Sequence, residues 1–151
     1  MKKRIGLTIC LFFVLPAVLT AQTAVRIEEL LETKAVNYGQ AAQFILEAAD
    51  VLGYTSRAEA FIYAQERQWL PKNAIASGEA KLAGVALLIM QSFDIKGGTM
   101  YFLFRNPHYA YRELVFQDII QGRADPDMTV SGDLLLFLIN RVLYHQEEGL
   151  L

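Results

Sequence analysis

The sequence predicts an all-α domain: five or six short helices in two helix-loop-helix repeats, with a short irregular or extended insert between them. Two observations carry this. Apolar residues recur at intervals of three and four through most of the chain, the period of a helix with one buried face. One passage also occurs twice. Pro71-Lys72-Asn73-Ala74-Ile75-Ala76-Ser77-Gly78-Glu79 runs into the apolar stretch Leu82 to Phe93, and Pro126-Asp127-Met128-Thr129-Val130-Ser131-Gly132-Asp133 runs into Leu134 to Leu143. Each copy reads as proline, polar loop, Ser-Gly-acid and amphipathic helix, and repetition of this kind signals modular helical architecture.

The elements follow in order. Residues 1–21 have the pattern of a secretory signal peptide: basic Met1-Lys2-Lys3-Arg4, apolar Ile5 to Leu19, then the small Ala21 before Gln22. Residues 22–151 are then one domain, with repeats at about 56–93 and 109–144. Val25 to Thr33 predicts a short helix with Ile27, Leu30 and Leu31 inward. Tyr38 to Leu52 predicts a second, with Ala41, Phe44, Ile45, Ala48, Ala49 and Leu52 inward and Gly53 as the left-handed residue that ends it. Ser56-Arg57-Ala58-Glu59 is a capping box, in which serine accepts from the glutamate amide and the carboxylate reaches back. The helix it opens is expected to run to about Trp69, with Ala58, Phe61, Ile62 and Trp69 inward. Leu70-Pro71 ends it, because proline disfavours helical geometry in the residue before it.

Ser77 and Ser131 read as equivalent N-caps, each with an acid two residues later near the positive end of the helix dipole. Between the copies, Thr99 to Phe104 after Gly97-Gly98 reads as a short extended segment, with a helical start as the alternative. Arg105-Asn106-Pro107 is a turn, Tyr109 to Gln121 is helical, and the tail from His145 frays.

Composition removes several function classes. Loss of residues 1–21 leaves 11 basic and 16 acidic residues and moves the net charge from −2 to −5. That disfavours nucleic acid and anionic membrane surfaces, which reward a basic face. Cys10 is the one cysteine and lies within the signal, so the exported chain has no thiol chemistry or disulfide. His108 and His145 are not in metal-ligand spacing. Asp125-Pro126-Asp127-Met128-Thr129-Val130 is similar to a calcium loop, but Arg123 stands where the first acid belongs, Met128 where the turn glycine belongs, and Asp133 arrives one residue early. The expectation is no catalytic residue, metal or cofactor, and no transmembrane span after cleavage. The chemistry is concentrated in the insert, where aromatics mixed with arginine have the make-up of an interface hot spot. The candidate binding residues are Tyr101, Arg105, His108, Tyr109, Tyr111 and Arg112.

Helix, proline-containing loop and capped helix together resemble an S-layer homology module, the helical repeat that attaches exported bacterial proteins to cell-wall polymers. Ala58 to Phe93 and Tyr111 to Leu143 carry the likeness. Val36-Asn37-Tyr38-Gly39-Gln40-Ala41-Ala42, ahead of Phe44 to Val51, is a third, degenerate half. The family's Thr-Arg-Ala-Glu box opens the second helix of each module, and its arginine helps bind an anionic glycan. At the matching positions, Ala76 to Glu79 and Thr129 to Asp133, this chain has no arginine. The resemblance implies an exported, non-catalytic module of the bacterial periplasm or cell envelope, contacting a wall polymer or an envelope protein. The alternative is a small periplasmic ligand-binding protein or enzyme that uses the aromatic and basic insert 101–112.

Overall fold

The computed structural model describes residues 23–122 and 124–149. The expected signal peptide, residues 1–21 with Cys10, and Arg123 lie outside the described residues. The domain is all-helical: α1 (23–31), α2 (Tyr38–Ala48), α3 (Arg57–Glu66), α4 (Leu82–Ser92), α5 (Thr99–Phe104), α6 (Pro107–Phe116) and α7 (Gly132–Glu147). Among the described residues no helix is long and apolar enough to cross a membrane.

Helix boundaries recur at a fixed spacing, in a register the sequence did not reveal. α3 and α6 begin at Arg57 and Pro107, and end at Glu66 and Phe116. α4 and α7 begin at Leu82 and Gly132. Every one of these landmarks is offset by 50 residues. Ser131 caps α7, its hydroxyl accepting from the Leu134 amide. The equivalent residue is therefore Lys81, which forms the N-cap of α4 without a side-chain bond. Ser77 lies in the loop four residues earlier and caps nothing, so the pairing of Ser77 with Ser131 is corrected. A third unit joins these two: α2 and α4 are related by an offset of 44, from Tyr38 to Leu82 and from Ala48 to Ser92.

The three inner helices α2, α4 and α7 start around one closed ring of backbone hydrogen bonds. Val36 N–H donates to the Val130 carbonyl (2.9 Å), Val130 N–H to the Ala80 carbonyl (3.0 Å), and Ala80 N–H to the Val36 carbonyl (2.8 Å). All three residues have no exposed surface, so each buried amide and carbonyl needs a partner, and the cycle supplies one to each. A second tier lies directly beyond it. The first helical residues Tyr38, Leu82 and Gly132 donate to the carbonyls of Gly78, Met128 and Thr33. The opening amides of a helix have no partner within the helix; here the neighbouring unit's loop accepts from them. That is why Lys81, a poor capping residue, can open α4. The Ala83 amide is also bonded, to the Pro126 carbonyl (2.9 Å).

The helix ends repeat as closely as the starts. Asp50, Gln68, Asp94 and Asp118 all take left-handed backbone, with φ of 54°, 59°, 49° and 59°. In each case the next residue donates back to a carbonyl in the last turn, as from Val51 to Leu46 and from Ile119 to Leu114. This is the Schellman arrangement; glycine is the usual residue at the left-handed position, and a short Asp side chain occupies it more easily than a long or β-branched one. Asp50, not Gly53, therefore ends α2.

Packing follows the same order. α3 packs on α2 and α6 on α4, so each outer helix lies on the inner helix of the unit before it, while α2 contacts both α4 and α7. α4 is buried on every side from Val85 to Met90, the signature of a central helix. On α3 the inward residues are Ala60, Phe61 and Ala64. Ile62, expected inside, is 52% exposed. On α1 only Leu30 is buried, and Ile27 and Leu31 face solvent. Arg26 fastens α1 to α2. Its guanidinium contacts the Glu47 carboxylate at 2.9 Å and lies 5.2 Å from the Phe44 ring and 4.9 Å from that of Tyr54.

Candidate functional site

The insert between the second and third units is a helix rather than an extended segment. Tyr101 decides this. Its ring is buried, and its phenolic oxygen accepts from the Gln91 side-chain amide at 2.6 Å. A helical turn places that ring against α4 and turns its neighbours outward. Arg105 stops the helix with φ of 20°, its amide bonded to the Tyr101 carbonyl. Asn106 then caps α6 through the Tyr109 amide, with Pro107 at the first helical position, where a missing N–H costs nothing.

The outcome is a short ridge. Met100 (49% exposed), Phe102 (68%), Leu103 (62%) and Phe104 (56%) all face solvent. A hollow of about 400 Å³ lies on one side, bordered by Met90, Lys96, Tyr101, Phe102 and Arg105. A broader one of about 840 Å³ lies on the other, bordered by Leu70, Lys72, Leu87, Phe102, Leu103 and Arg105. Phe102 and Arg105 border both.

The six candidate residues do not converge. Tyr101 is a packing residue that borders only the smaller hollow, and burial pushes its phenol above the ordinary value, with the Gln91 bond and Arg105 pulling the other way. It stays a neutral phenol and offers no base. Arg105 is exposed between the hollows. Tyr109 stacks on Phe104 at 5.7 Å and takes the exposed His108 edge-on at 5.4 Å. Tyr111 donates to the Ala124 carbonyl and so tethers the α6–α7 loop. Arg112 is exposed on α6 and borders neither hollow. The residues the sequence did not single out are Leu103, Lys72 and Lys96. Lys72 comes from the loop before α4, and no spacing rule brings it near α5.

The ring is the other place where chemistry could have been expected. In a Thr-Arg-Ala-Glu box that caps a helix, the threonine is the N-cap and the arginine the first helical residue. Here those first positions hold Tyr38, Leu82 and Gly132, all buried. Gly132 can be nothing larger: a Cβ there would lie 1.6 Å from the Leu30 carbonyl oxygen. At Gly84 the Tyr38 phenol takes the space, 2.4 Å from where a Cβ would stand. The three positions that could present a side chain from the helix starts are thus sealed by packing.

The loop at Asp125 forms an Asx turn, its carboxylate accepting from the Asp127 amide at 2.9 Å. Among the described residues no group of three or more His, Cys, Asp or Glu side chains is placed to hold a metal ion. Comparison with protein families, with curated proteins and with solved structures returned no match.

Proposed function

We propose that this chain is an exported, non-catalytic interaction module of the bacterial cell envelope, similar in layout to S-layer homology modules, whose partner is an envelope protein rather than a wall polymer. The observation that carries the reading is the division of labour in the fold. Three helix-loop-helix units close around a ring that contains only backbone and apolar side chains. On the one element outside that pattern, α5, four large apolar side chains face solvent together, with Arg105, Lys72 and Lys96 at its borders. The signal-like residues 1–21 support export.

The choice of partner rests on residue types. A polymer held as in the resembled family needs arginine at the first helical positions, and those positions hold buried Tyr38, Leu82 and Gly132. Sugars also need hydrogen-bonding side chains beside the aromatic faces, and Met100, Phe102, Leu103 and Phe104 offer none. Exposed Phe, Met and Arg are the residue types enriched in protein interfaces.

The test is retention of the exported form on purified sacculi and, separately, on an envelope protein extract at low salt. Retention by the extract and not by sacculi is expected. Retention on sacculi alone returns the polymer reading, and retention on neither overturns the proposal.

A further inference from the structure

We propose that the α5 ridge is one half of a head-to-tail contact between copies of this chain, and that the outer face of α1 is the other half. The ridge is unusual in kind as well as exposure. Four large apolar side chains project from one six-residue helix, whereas scattered single apolar residues would call for no explanation. Its borders carry three cations, Lys72, Lys96 and Arg105, and one acid, Asp94, in the smaller hollow. Among the described residues Arg26, Arg57, Lys81 and Arg141 have carboxylate partners. Lys72, Lys96 and Arg105, which border the two hollows, have none. Of the described cations without a carboxylate partner, three stand beside this exposed apolar ridge, while Lys34, Arg67 and Arg112 border neither hollow.

α1 presents the complement. Arg26 and Leu30 hold its inner face. At 100° per residue, Ile27 and Leu31 form one outward stripe and Glu28 and Glu32 the adjacent one. Val25, Ile27 and Leu31 are 62%, 38% and 48% exposed, and neither Glu28 nor Glu32 has an ion pair among the described residues. Seating the apolar stripe against Leu103 and Phe104 brings the acidic stripe toward Lys72 and Arg105. The two faces are different parts of the surface, so the contact is heterologous. Each copy uses α1 on one neighbour and α5 on the next, which builds a ring or an open chain.

The experiment measures the mass of the exported form by light scattering and sedimentation, from micromolar to millimolar concentration. At low salt the mean mass rises with concentration, and added salt lowers it by screening the charge pairs. The double variants Glu28→Lys/Glu32→Lys and Lys72→Glu/Arg105→Glu are each monomeric alone. Their equimolar mixture assembles again, because the reversed charges of one variant complement those of the other and the remaining wild-type faces still fit. A second ridge variant, Phe102→Ser/Leu103→Ser, is also monomeric and guards against misfolding caused by the turn at Arg105. A wild-type chain that stays monomeric at millimolar concentration overturns the proposal, as do variants that assemble like the wild type. Envelope retention is scored separately: a monomer held by the extract sinks this contact and leaves the functional reading standing, and a self-associating chain that is not retained does the reverse.

Discussion

The ring and the ridge are opposites. Val36, Ala80 and Val130 have no exposed surface, each of their amides has an acceptor, and their side chains are small or apolar. Along α5 the large side chains face solvent, the cations at its borders are unpaired, and the helix stops on a strained turn at Arg105. The ring is over-determined by three units at once, so substitution there is expected to act on stability. The ridge is held mainly through Tyr101, so substitution around it is expected to act on association. Function in a repeat fold does not have to sit in the repeat.

The largest effect is expected at Gly132. Gly132→Ala drives a methyl group into the Leu30 carbonyl and is expected to cost about 3 kcal/mol or more, since backbone must move to relieve the clash. Leu82→Ala at the equivalent position leaves a cavity and is expected to cost about 2–5 kcal/mol. Urea denaturation measures both, and a neutral Gly132→Ala would show that α1 does not close against α7 as described.

Next come the caps. Ser131→Ala removes the bond to the Leu134 amide and is expected to cost about 1 kcal/mol. Lys81→Ala removes no cap bond and is expected to cost less than half of that. Equal losses would contradict the claim that neighbouring carbonyls, rather than cap side chains, satisfy the start of α4.

Smaller still is a pH effect. The Ser56 amide and hydroxyl, with the Thr55 hydroxyl, hold the Glu59 carboxylate below its ordinary value of 4.5. The Thr129 hydroxyl and Lys81 do the same for Glu79. Lowered folded-state values mean the unfolded chain binds more protons in this range, so the contribution is present above pH 4.5 and is lost as pH falls through the folded-state values. Glu59→Gln and Glu79→Gln should each flatten the fall in stability in acid, by losing a small contribution at neutral pH and changing little below the folded-state values. Both side chains are exposed, so salt will weaken the effect. An unchanged acid slope in both variants would rule the contribution out. The smallest effect is expected on the ridge: Phe102→Ser leaves stability within about 0.5 kcal/mol of wild type, and a large loss would mean the ridge is core.

Much of the fold was legible in local sequence, for identifiable reasons. The capping box at Ser56 and Glu59 is present with both of its bonds, and the period of the apolar residues marked most helices. The register of the repeat was not legible. Ser77-Gly78-Glu79 imitates Ser131-Gly132-Asp133 residue for residue, yet the start of α4 is set by the Met128 and Pro126 carbonyls, far along the chain. The aromatic run Tyr101 to Phe104 favours extended backbone by propensity, and burial of the Tyr101 ring beside Gln91 overrides it. Of the candidate binding residues, only Arg105 was placed between both hollows. The lysines beside it come from separate loops.

The closed ring also limits how this architecture can change. An open solenoid can gain or lose units at its ends, provided the terminal ones are capped. Here the third unit donates back to the first, through the Gly132 amide and the Thr33 carbonyl, so the cycle has no end at which a fourth unit could be added. Deleting a unit would strand donors and acceptors on both of the others. Within the cycle, added chain is accommodated between units, and α5 occupies one such interval.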